Sequence, residues 1–219
     1  MARNRTVAPS LFVLIGLILT VGPVALAENL ALSTEPGAPV TSVTVEAVQA
    51  EGTLGTGYID SSGWCGGPYI DLTAAAVAVR IVSFEMYFKG TVNRDVEVFW
   101  KAGTYVGSEL DPGAWTSLGT VNVTPGGTGT LTPINLGGVD IPPGETYGFK
   151  VWDGGTGPPE GPGLDLRMGG TSVSDANLSL SSNAFTCFEP FTGLNPGFGW
   201  QGNVLYGDVP VELMSFEID

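Results

Sequence analysis

Two short runs constrain this chain more than anything else in it. In Ile81–Lys89 (IVSFEMYFK), Val82, Phe84, Met86 and Phe88 fall on one side of an extended chain. Ser83, Glu85, Tyr87 and Lys89 fall on the other. In Asp95–Lys101 (DVEVFWK), Val96, Val98 and Trp100 alternate with Asp95, Glu97, Phe99 and Lys101. Side chains of a strand point alternately to opposite faces, so a period of two with one wet side marks an antiparallel sheet over a core. Outside the N-terminal segment no long stretch carries the helical period. The Ala-rich Thr73–Val79 comes nearest and reads as neither helix nor strand.

Further strands are predicted at Thr41–Val48, Leu118–Thr124, Leu131–Leu136, Thr146–Trp152, Leu164–Met168, Ala176–Ser181, Ala184–Phe188 and Gly199–Tyr206. Glycine and proline clusters separate them, and the 33 Gly and 16 Pro read as turn punctuation. In DIPPGETYGF, Pro142 and Pro143 cannot extend a ladder and Gly144 accepts a positive φ, so the chain turns there. In ELDPGAW, Asp111 can cap a turn whose second position Pro112 fixes. Many short strands with regular turns give an all-β chain, an antiparallel β-sandwich, jelly-roll-like. The Lys101–Thr120 segment (KAGTYVGSELDPGAWTSLGT) is expected to join two strands at one end of it, with Tyr105 and Trp115 pinned against the rim.

The chain opens with a basic stretch (Arg3, Arg5), a short apolar run Leu11–Gly22 and an Ala25-Leu26-Ala27 cleavage pattern. Residues 1–27 therefore read as a secretory signal peptide, the apolar run being shorter than the roughly 20 residues a membrane span needs. Residues 28–40 form a polar lead-in, 41–208 a single sandwich domain, and 209–219 a last strand or sorting-like tail. The expected location is outside the cell or on its surface, with no membrane span after cleavage. The formal net charge of −14 becomes more negative when Arg3 and Arg5 leave with the leader. That balance disfavours nucleic acid and anionic lipid, which call for clustered Lys and Arg. Histidine is absent, which removes the commonest general base and metal ligand.

The two cysteines, Cys65 and Cys187, are expected to form one disulfide in an oxidising compartment. Closing so long a loop would contribute roughly 4–5 kcal/mol on the chain-entropy account. The other reading, a reactive thiol or metal pair, lacks the histidines a zinc site would recruit.

Asp95 and Glu97, two apart on an outward face, could serve glycoside hydrolysis, or be solvated acids beside Lys101. Asp153, Glu160 and Asp165 flank a glycine loop and form a candidate Ca²⁺ site, though their spacing follows no calcium-loop pattern. No other cofactor is expected. Asn122 and Asn177 open glycosylation sequons. Alternation turns Trp100 and Trp200 inward and Trp152 outward. Trp64, Trp152, Trp115 and Tyr105 form a candidate sugar-stacking platform, weighed against plain rim packing.

Several motifs occur in order: Ile70–Thr73, VEVFWKAGTYVGSELDPGAWTSLGT, IPPGETYGFKV, SDANLSL and GWQGNVLYG. Together they resemble a recurring domain of secreted bacterial proteins of unknown function, over about residues 70–207. In that family a YYKxGTYVGxExNPxAWTLVGT-like segment joins two strands and an IPAGxTYGF-like turn follows. The resemblance implies an extracellular β-sandwich, often part of larger surface proteins, with no established catalytic residues. The Cys65/Cys187 pair and the proline-rich 154–163 loop depart from it. The tail Val209–Asp219 (VPVELMSFEID) is similar to a segment near the ends of many bacterial surface proteins, where it accompanies sorting regions. The expected function is a non-catalytic structural or adhesive role, with glycans or other surface proteins as partners. A carbohydrate-binding module is the alternative, and an acid-only glycoside hydrolase a more distant one.

Overall fold

A computed structural model describes residues 52–60, 63–154, 163–187 and 189–209, with backbone alone at 63–65. The predicted strand at Thr41–Val48, the tail beyond Val209 and Glu160 lie outside the described residues. In chain order the strands are β1 (Gly52–Gly55), β2 (Gly63–Cys65), β3 (Gly67–Ala74), β4 (Val79–Tyr87) and β5 (Arg94–Ala102). Then follow β6 (Thr116–Val123), β7 (Leu131–Ile134), β8 (Val139–Ile141), β9 (Thr146–Asp153) and β10 (Leu164–Met168). The last are β11 (Thr171–Ser174), β12 (Leu178–Thr186), β13 (Asn195–Pro196), β14 (Phe198–Gly199) and β15 (Gly202–Asp208).

The strands make an antiparallel β-sandwich. One sheet runs β1-β15-β4, with β7 and β8 sharing the far edge of β4. The other runs β11-β12-β3-β9-β5-β6, with β13 on β12. A small ladder β14-β10-β2 completes the set. Neighbours such as β12 and β3, or β15 and β4, are far apart in sequence, so the chain crosses repeatedly between sheets. Their inner faces meet in one apolar cluster. Phe84 of β4 lies 5.6 Å from Phe149 of β9 and 5.6 Å from Trp200, all fully buried. Trp100 packs on the same cluster and stacks on Tyr147, as alternation requires.

One predicted face is corrected. Val82 is 51% exposed, whereas Ile81 and Val79 join Phe84 and Met86 in the core. Opposite β4, Leu205 pairs with Ser83 and the next residue, Tyr206, pairs with Ile81. Val82 is thus the extra residue of a β-bulge, which reverses the in–out phase of the strand behind it.

Three other expectations change. The predicted strands Ala176–Ser181 and Ala184–Phe188 merge into one, β12 (Leu178–Thr186), with a register shift between Ser181 and Ala184; Phe188 lies outside the described residues. The segment Thr73–Val79 ends β3 and begins β4, joined by an irregular link. The central strand β3 itself was not foreseen from the alternation. The turn at Pro142–Gly144 forms as expected. Gly144 has φ 73°, Glu145 N donates to Pro142 O at 3.1 Å, and Tyr147 and Phe149 follow on β9.

Candidate functional site

The outer face of the larger sheet carries every candidate aromatic whose side chain is described. A row crosses four strands there: Phe99 pairs with Lys150, Lys150 with Tyr69, and Tyr69 with Ala184. Alternation directs these residues to solvent, yet Tyr69 and Lys150 are fully buried. Two connections roof them. One is the segment between β5 and β6, which lays Tyr105 and Trp115 over Tyr69, each 5.6 Å away between ring centres. The other is the segment between β12 and β13, which brings Phe191 to 5.1 Å from Phe99 and 6.1 Å from Trp115. A second, smaller core therefore sits on the outside of the sheet.

The β5–β6 connection is fastened at several points. Asp71 of β3 accepts from Tyr105 N at 2.8 Å and from Thr104 Oγ1 at 2.5 Å. Tyr69 donates its hydroxyl to Glu109 O, and the same hydroxyl reaches Pro190 O at 3.2 Å. Trp115 Nε1 donates to Ser108 O at 2.9 Å. Asp111 caps the 3₁₀ turn Pro112–Ala114, accepting from Gly113 N at 3.0 Å. The connection joins two strands, as expected, but its anchors Tyr105 and Trp115 lie over Tyr69 on the outer face of the sheet and not against the rim of the sandwich.

Burial shifts the ionisable groups beneath it. Desolvation holds the Lys150 amine well below the usual lysine range. Its Nζ is 2.7 Å from Thr186 Oγ1, 3.3 Å from Gly67 O and 3.8 Å from the Tyr69 ring centre. Burial likewise raises the Asp71 carboxyl, against the lowering effect of its two hydrogen bonds.

The sequence candidates separate. Trp152 lies on the outer face but is corrected from exposed to buried, at 6% exposure. The Lys150 amine comes within 5.4 Å of its ring on the covered side of the sheet. Tyr105 (6%) and Trp115 (9%) are likewise internal and present no open stacking face. The Trp64 side chain lies outside the described residues, so the four aromatics do not assemble into one exposed platform among those described. Asp153 and Asp165 are both fully buried and paired with bases: Arg94 Nη1 stands 3.3 Å from Asp153, and Lys89 Nζ 3.1 Å from Asp165. Tyr58 also donates to Asp165 at 3.2 Å. Among the described residues no group of three potential metal ligands comes together.

Asp95 accepts from Asn122 Nδ2 at 2.8 Å, and Glu97 from Ser117 Oγ at 2.6 Å, both across the β5–β6 pair. No free cysteine occurs among the described residues, and the Cys65 side chain lies outside them. Among the described residues no helix is long and apolar enough to cross a membrane.

Sequence reasoning missed Lys150, Asp71 and Tyr69. The available signal was an outward row too apolar to be wet: Tyr69, Phe99 and Trp152 all sit at solvent-facing positions. No protein-family model matches the chain, and no curated protein sequence matches it.

Proposed function

We propose that this chain is an exported, non-catalytic β-sandwich protein that acts outside a bacterial cell or at its surface in a structural or adhesive role. The observation that carries the reading is the engagement of the side chains best suited to chemistry. Asp153, Asp165, Asp95, Glu97 and Asp71 each accept from, or pair with, a neighbour inside the fold. Tyr105 and Trp115 anchor a connection and present no open stacking face. The N-terminal leader pattern, the acidic charge and the resemblance to secreted bacterial domains support the extracellular setting. On this reading Cys65 and Cys187 form a disulfide tying β2 to the end of β12.

The test has two arms. Antibody raised to the chain should label intact source cells or find the chain in the medium; detection only after lysis contradicts export. A panel of aryl glycosides incubated with the purified protein should release no sugar above buffer. Release that Glu97→Gln abolishes would replace this reading with the hydrolase one.

A further inference from the structure

A shallow depression of about 260 Å³ opens beside the braced connection, where β10 turns into β11 and β11 meets β12. Its wall includes Tyr105, Gly169, Gly170, Ser172, Ser181 and Asn183. The two glycines take positive φ, 86° and 75°, and a Cβ at Gly170 would stand 2.7 Å from the Asn183 Oδ1. Glycine there leaves the Asn183 amide free to face the depression. Ser172 and Ser181 are direct cross-strand partners on the outer face, so their hydroxyls stand side by side at the roughly 4.7–4.9 Å strand spacing.

The inward and outward groups of the wall differ in their bonding. Thr171 and Ser182, one residue along each strand, turn inward: Thr171 Oγ1 donates to Trp200 O at 2.7 Å and Ser182 Oγ to Tyr69 O at 2.5 Å. Ser172, Ser181 and the Asn183 side chain have no partner among the described residues. Tyr105 is the decisive member. Its hydroxyl accepts from Asn183 N at 3.3 Å, while its own proton has no acceptor among the described residues. The side chain is 6% exposed and its ring is stacked on Tyr69 at 24° between planes. It is therefore a donor held in place by its packed ring, at the border of the depression. Its proton borders the depression, where a ligand oxygen can replace water as the acceptor.

We propose that this depression binds one neutral saccharide residue. The wall offers hydroxyls and an amide, which both donate and accept, as sugar hydroxyls do. It holds no cation for a carboxylate or phosphate, and the chain's net charge of −14 repels anions. The volume lies below the roughly 300–1,000 Å³ of drug-sized sites and suits a single ring. The site deepens the adhesive reading and rests on it for its biological setting, with the Tyr105 hydroxyl, and not exposed tryptophan, at its centre.

The test is saturation-transfer NMR on the full mature chain with methyl glycosides of glucose, galactose, mannose and N-acetylglucosamine at millimolar concentration. At least one should bind, with amide shifts at Ser172, Ser181 and Asn183. Tyr105→Phe and Asn183→Ala should each weaken it about three- to tenfold, the loss expected of one hydrogen bond. Val106→Ala, on the same connection but exposed at 63%, should leave it unchanged. Asn183→Ala removes only an exposed side chain and keeps the test valid if Tyr105→Phe misfolds. No binding by the wild-type chain, or binding undiminished in Asn183→Ala and in folded Tyr105→Phe, overturns the site. If the chain labels intact cells but binds none of the glycosides, the site falls and the surface reading stands.

Discussion

Lys150 Nζ lies 3.8 Å from the centre of the Tyr69 ring, and both side chains are fully buried on what alternation makes the outer face of the sheet. The pair is possible because two connections close over it. A lysine in such a place has given up hydration, and an aromatic face with two oxygen acceptors offsets only part of that loss.

Replacement of that lysine follows directly. Burial depresses the folded-state pKa of Lys150 below the unfolded value. Between those two values the unfolded chain holds more protons, so this group's effect favours folding increasingly as pH rises. Lys150→Met should therefore be more stable than wild type at neutral pH, by about 1–2 kcal/mol. The gain should shrink as pH climbs toward the ordinary lysine value. Urea denaturation at neutral and alkaline pH reads it, and a variant less stable than wild type at neutral pH contradicts it.

Asp71 offers the opposite sign of group. Burial raises its carboxyl pKa in the folded state, so its charge costs stability at neutral pH and that cost fades as pH falls through the raised value. Asp71→Asn keeps an oxygen for Tyr105 N and should be neutral or stabilising at pH 7, converging with wild type in acid. Asp71→Ala strands that amide and should cost about 1–3 kcal/mol. Equal losses in both variants would show that Asp71 works through its charge.

The bulge in β4 predicts a contrast between adjacent aliphatic residues. Ile81→Ala should cost about 2–5 kcal/mol, the range for emptying a buried aliphatic site. Val82→Ala, at a half-exposed position, should stay within about 0.5 kcal/mol of wild type. Chemical denaturation of both variants decides it; the reverse order would restore the phase that simple alternation assigns.

That contrast also explains how much of the fold was legible. The strands Asp95–Lys101, Thr146–Trp152 and Leu164–Met168 were readable because their alternation is unbroken. Val82 was misplaced because a bulge depends on the partner strand, and the residues opposite it lie over 100 positions away. The strand Gly67–Ala74 was hidden by Gly67 and Pro68 at its start, although Ile70 and Leu72 alternate behind them. Trp152 was assigned the correct face and the wrong exposure, since a roof of loops over a sheet is a tertiary event that strand periodicity does not encode. Tyr105 and Trp115 were legible as anchors because turn chemistry around Asp111 and Pro112 is local. Asp71 was not, because its partners belong to a loop over 30 residues on.

The proposed Cys65–Cys187 bridge gives a further outcome. Protein isolated without reductant should show no titratable thiol when unfolded. Reduction, or Cys187→Ser, should lower stability by about 2–4 kcal/mol. Two thiols in freshly isolated, denatured material would remove both the bridge and one argument for an oxidising location.

The most direct measurement is amide hydrogen exchange along residues 103–115, the connection whose side chains the fold engages. Tyr105 N, bonded to Asp71, and Trp115 N, bonded to Pro112 O at 3.3 Å, should exchange far more slowly than free peptide. Trp115→Ala should abolish that protection and cost about 3–5 kcal/mol. Exchange at unprotected rates in the wild-type chain would mean a loose loop with its aromatics available to a ligand, contrary to a brace built into the sheet.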